Sequence, residues 1–84
     1  MREKIDYDSA VPPYRQLAAI LLAQIESGEL KGQLPPIKRL RDDYGVAEVT
    51  ARKAVAVLRD AGLVETVTGW GSFVRKQMPG KRGG

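Results

Sequence analysis

Prolines and glycines divide this chain into segments too short for anything but small helices and a hairpin. Pro12-Pro13 and Pro35-Pro36 each mark a helix start, because proline is tolerated where the first amide would have no intrahelical partner in any case. Gly28, Gly45 and Gly62 mark helix ends, since glycine enters the closing left-handed conformation without steric cost. In the first interval Tyr14, Leu17, Ala18, Leu21, Leu22 and Ile25 recur at steps of three and four, tracing one apolar stripe of a helix that begins at the diproline. Ile37, Leu40 and Tyr44 mark the buried side of a short second helix that Gly45 stops. Val46 and Ala47 make a turn, after which Ala51, Ala54, Val55 and Leu58 line the inner side of a third helix over about residues 48–61.

Residues 63–67 and 72–75 are rich in β-branched side chains and enclose Thr68-Gly69-Trp70-Gly71, which predicts a β-hairpin. Residues 30–34 read as a connector with room for one very short strand. The fold class is therefore α+β, mainly α: a winged helix-turn-helix, three helices followed by a hairpin wing. With 84 residues there is one small domain. It is expected over residues 11–76, between a flexible N-terminal arm at 1–10 without apolar periodicity and a disordered basic tail, or linker start, at 77–84.

Several function classes are excluded by what the chain lacks. It has no cysteine and no histidine, which removes thiolate zinc sites, thiol nucleophiles and the commonest general base. Asp42 and Asp43 are no substitute, since adjacent residues sit about 100° apart on a helix and their carboxylates would not converge. The expectation is a protein that is not an enzyme and binds neither metal nor cofactor. The longest apolar stretch, residues 17–25, is interrupted by Gln24 and falls far below the roughly 20 residues that span a bilayer. No apolar segment of secretory type follows Met1-Arg2-Glu3-Lys4, so a cytoplasmic location without membrane contact is expected.

The net charge of +4 is unevenly placed. Residues 38–59 hold Lys38, Arg39, Arg41, Arg52, Lys53 and Arg59 against Asp42, Asp43 and Glu48, a local +3, whereas residues 1–31 sum to −1. One basic face on an otherwise balanced body suits a phosphate-binding surface, although a solvated helix face would look the same. A short helix, a glycine turn and a longer helix with its polar side outward form the helix-turn-helix pattern. The second helix of such a pair fits the DNA major groove while the first crosses the backbone.

At this point the chain resembles a known family. The runs Pro13-Tyr14-Arg15-Gln16-Leu17, Ile25-Glu26-Ser27-Gly28-Glu29-Leu30, Leu34-Pro35, Tyr44-Gly45-Val46, Thr50-Ala51-Arg52-Lys53-Ala54-Val55, Ala61-Gly62-Leu63-Val64 and Gly69-Trp70-Gly71-Ser72-Phe73-Val74 are similar, in order and spacing, to the DNA-binding domain of GntR-type transcriptional regulators. The likeness covers about residues 11–75. It implies sequence-specific binding of double-stranded DNA, with repression as the default outcome. The recognition helix (about 48–61) would lie in the major groove and the wing (about 67–72) near the minor groove.

The resemblance implies DNA contacts by Lys38 just after the Leu-Pro step, by Thr50 and Arg52 near the recognition-helix start, and by the wing glycine Gly69. Arg39, Lys53 and Thr68 complete the basic and wing-tip candidates. Arg52 lies one turn from Glu48 and is also placed to pair with it. The family pattern has Ser or Thr followed by Arg where this chain has Ala47-Glu48. The missing hydroxyl removes a helix cap of about 1 kcal/mol. Glu48 cannot take over an arginine's guanine contact; it either accepts a hydrogen bond from cytosine or orients Arg52, so the operator is expected to differ from the common half-site. Val49 either touches a thymine methyl or is partly buried. Trp70 either lies in the minor groove or folds back over the base of the wing.

Family members continue into a ligand-sensing or dimerising domain. Here about ten residues follow the hairpin, leaving no effector pocket and two readings: an excised head, or a small regulator that pairs through its own surface or on a palindromic operator. The rival class is a winged helix used for protein interaction, whose signature would be an apolar outer face on the third helix.

Overall fold

The computed structural model describes residues 4–75. Three helices, α1 (Pro13–Ser27), α2 (Ile37–Tyr44) and α3 (Glu48–Asp60), are followed by strands β1 (Val64–Val67) and β2 (Gly71–Val74). The elements and their order are those expected from the punctuation. Pro12 and Pro36 are the residues that precede α1 and α2, and Gly28 and Gly45 close those helices with φ of 83° and 65°.

The apolar stripes converge on α3, against which α1, α2 and β1 all pack. Its inner side is mostly small: Ala51 and Ala54 are fully buried beside Val55 and Leu58. Short side chains at the contact let helix axes approach closely. The larger volume comes from Leu17 and Leu21 of α1, Leu40 of α2 and Val64 of β1, each 2% exposed or less. Burying such a side chain stabilises by about 1.5–3 kcal/mol. Tyr44 puts its ring in this core and its hydroxyl accepts a hydrogen bond from Gln24 Nε2 at 3.1 Å, tying α2 to α1. An aromatic with one polar end needs such a partner when buried.

The hairpin pairs Val64 with Val74, Glu65 with Phe73, Thr66 with Ser72 and Val67 with Gly71. The connector between α1 and α2 lies along β2 as a third, strand-like edge. Leu34 N donates to Ser72 O at 2.8 Å, Val74 N donates to Gly32 O at 2.7 Å, and Gln33 bridges to Phe73. This is the very short strand for which the sequence left room, and it covers one edge of a hairpin that would be marginal alone.

Of the segment expected as a flexible arm, residues 1–10, the described part from residue 4 on makes these contacts. Ile5 is 8% exposed and belongs to the core. Gln16 of α1 holds the segment by accepting from Asp6 N and donating to the carbonyls of Asp6 and Val11, all at 2.8 Å. Tyr7 donates its phenolic proton to Gly45 O at 2.6 Å. A lone isoleucine shows no periodicity, so its burial against distant elements leaves no local trace. The tail expected at 77–84 lies outside the described residues. Among the described residues no helix is long and apolar enough to cross a membrane.

Candidate nucleic-acid interface

Helical geometry divides α3 into two sides. Ala51, Ala54, Val55 and Leu58 face the core, and at about 100° per residue Val49, Lys53, Ala56 and Asp60 lie opposite them, with Glu48, Arg52 and Arg59 along one flank. Val49 is 59% exposed, so partial burial does not account for it. Thr50 sits at the edge of this side and is half-buried. The helix starts at Ala47 without a side-chain cap, as expected from the lost hydroxyl. Glu48 compensates in part, because a carboxylate in the first turn faces the positive end of the helix dipole.

The cations of this region are held differently. Arg52 Nη2 pairs with Glu48 Oε2 one turn away, with both side chains about half exposed or more. Lys53 stands with its Nζ 5.6 Å from the centre of the Tyr14 ring, on the side of α3 nearest α1. Arg59 lies at the opposite edge, where its Nη1 is 3.5 Å from Thr66 Oγ1 of the wing. On α2, Arg39 pairs with Asp43 at 3.4 Å, and Lys38 is exposed without an ion pair among the described residues. Each exposed pair contributes only about 0–1 kcal/mol, so exchange of a carboxylate for a phosphate carries little penalty.

Between the outer side of α3 and the wing runs an open groove of about 460 Å³, lined among others by Ile37, Val49, Arg52, Lys53, Arg59, Thr66 and Ser72. It brings together Val49, Arg52 and Lys53 of the sequence-derived candidates. Thr68, Gly69 and Trp70 stand apart from it at the wing tip. The tip is a turn closed by Trp70 N donating to Val67 O at 2.9 Å. Gly69 has φ of 82° and no other residue type in the described chain adopts positive φ, which fits the glycine position of a type II turn. Trp70 is 72% exposed and does not fold back over the base of the wing. Its carbonyl accepts from Gln33 Nε2 at 2.7 Å, so the connector holds the tip from behind.

Arg59, Thr66 and Ser72 are groove residues that the sequence reading did not select. Arg59 was accessible to it, seven residues beyond Arg52 and hence on the same side of α3. Thr66 and Ser72 were not, because their position depends on the strand register. Of the described residues, no three His, Cys, Asp or Glu side chains come together to hold a metal ion.

Residues 13–74 match the pattern of the bacterial regulatory proteins of the gntR family. Among curated relatives, the mannosyl-D-glycerate transport/metabolism system repressor MngR of Escherichia coli is 37% identical over 68 residues, which are 79% of this chain and 28% of MngR. The HTH-type transcriptional repressor NagR of Bacillus subtilis is 35% identical over 74 residues, 86% of this chain and 30% of NagR. This chain thus spans less than a third of the length of these relatives. Among solved structures, YtrA from Sulfolobus acidocaldarius, a GntR-family transcription factor, superposes with a TM-score of 0.79 at 34% identity, covering 88% of this chain and 80% of YtrA. The AraR DNA-binding domain in complex with operator ORX1 gives a TM-score of 0.78 at 29% identity, over 87% and 95% of the two chains. The fold is therefore the winged helix-turn-helix, and by the match across its helices and wing this chain belongs to the gntR family of bacterial regulatory proteins.

Proposed function

We propose that this chain binds double-stranded DNA sequence-specifically as the reading head of a bacterial transcription regulator that represses by occupying its operator. The observation that carries this reading is the outer side of α3. It presents Arg52, Lys53 and Arg59 around an exposed Val49, with the wing standing beside it. A helix of roughly 10–12 Å diameter fits the major groove, whose width is about 12 Å. Arg52 and Val49 then meet base edges, while Lys38, Arg39, Lys53 and Thr50 meet phosphates. Thr68, Gly69 and Trp70 approach the minor groove. The AraR domain solved with its operator and the relatives named as repressors support the same reading.

The operator is a palindrome read by two copies, because a symmetric site needs a symmetric pair of heads. The chain acts in the cytoplasm, where its DNA lies. A protein-docking role is disfavoured by the three cations on the outer side of α3.

Selection of bound duplexes from a random pool, followed by titration of the winner at several salt concentrations, tests the function. The expected result is an enriched palindromic motif whose affinity falls steeply with salt. Absence of any enriched sequence at low ionic strength would overturn the proposal.

A further inference from the structure

Glu48 and Arg52 lie about 40° apart around the α3 axis, on the flank between the buried Val55 and the outward Ala56, which Arg59 shares. Their ion pair is the single polar contact of either side chain among the described residues, with 49% of the Glu48 side chain and 62% of the Arg52 side chain exposed. A pair so exposed contributes little to stability. Its effect is on orientation, because a carboxylate taking one corner of a planar guanidinium fixes how the rest of that five-donor fork points.

We infer that Glu48 and Arg52 act as one reading unit for a single G·C base pair in each half-site. This rests on the DNA-binding reading above and adds the identity of the base pair. The free corner of the Arg52 guanidinium offers two parallel donors, and the adjoining Glu48 carboxylate has an oxygen left to accept. Donor, donor, acceptor is the complement of the major-groove edge of G·C, which presents guanine N7 and O6 as acceptors followed by the cytosine N4 amino donor. The A·T edge runs acceptor, donor, acceptor, and would set the adenine amino group against an arginine donor. Glu48 therefore contributes twice: it accepts from the cytosine, and it keeps Arg52 from swinging to a phosphate. It also carries a negative charge towards the DNA backbone, so it weakens binding to unrelated duplexes.

The test compares the full chain with Glu48→Ala, Glu48→Gln and Arg52→Ala, each selected against a pool of duplexes with a randomised centre. Competition then follows on the winning duplex with the G·C pair changed to A·T. The expected result is a G·C pair at one symmetric position, with discrimination against A·T falling at least about fivefold in Glu48→Ala. The combined Glu48→Ala and Arg52→Ala variant discriminates no worse than either single variant, and Glu48→Ala binds unselected DNA as well as or better than the parent. If Glu48→Ala and Glu48→Gln select the same bases with preferences within about twofold of the parent, the joint reading is overturned while DNA binding stands. If the parent chain enriches no duplex, the DNA-binding reading falls and takes this inference with it.

Discussion

Gln33 shows how one side chain that does not line the groove holds the wing tip. Its amide donates to Trp70 O at 2.7 Å, and it packs so closely under the tip that a Cβ added at Gly71 would lie 2.9 Å from Gln33 Nε2. Replacing Gln33 with Ala removes a hydrogen bond of about 0.5–1.5 kcal/mol. The expected outcome is faster amide exchange confined to the wing tip and weaker DNA binding with the helices unchanged, measured by hydrogen exchange and titration. Gly45 is constrained more tightly, because at φ of 65° it carries the α2–α3 turn while its carbonyl receives the Tyr7 hydroxyl. Gly45→Ala has open space for its methyl group but must adopt a left-handed backbone, which costs about 1–2 kcal/mol. Thermal unfolding should show a lower midpoint of that size, with affinity for DNA nearly preserved below the transition.

At the scale of elements, the N-terminal segment is a brace for α1 and for the turn before the recognition helix. Truncating Ile5 to Ala should destabilise by about 2 kcal/mol or more, read from denaturant midpoints at constant slope. The segment also marks the limit of what the sequence discloses. Helices α1, α2 and α3 were legible because Pro13, Gly28, Pro36 and Gly45 punctuate apolar stripes of helical period, all of it local information. Ile5 and Tyr7 were illegible because their partners are distant, Gly45 being 38 residues from Tyr7. The same holds for the hold of Gln33 on Trp70, 37 residues away. For the candidate interface, Thr50 and Arg52 came from the family resemblance, while the place of Arg59 on the same flank of α3 as Arg52 was legible in spacing alone. Thr66 and Ser72 required the hairpin register, which side-chain pattern leaves open for so short a pair of strands.

For the whole molecule, charge is unevenly placed, and under the proposed function this would favour one orientation on a duplex. Arg52, Lys53 and Arg59 line the groove and Lys38 is exposed on α2, whereas residues 1–31 carry a slight negative excess. Lys38→Ala should weaken binding to all duplexes alike and lower the salt slope by about 0.9, with selectivity unchanged. A loss of selectivity in that variant would place Lys38 on a base instead of a phosphate.

The chain contains a single tryptophan, and it stands 72% exposed at the wing tip instead of in the core. Its fluorescence is therefore a poor signal for unfolding, since the indole is in water both before and after the core opens. If the wing docks as proposed, that fluorescence becomes an optical signal for binding, because an indole entering a groove would leave water and meet quenching bases. Melting of this protein is best followed by far-ultraviolet dichroism, and its encounter with an operator by emission.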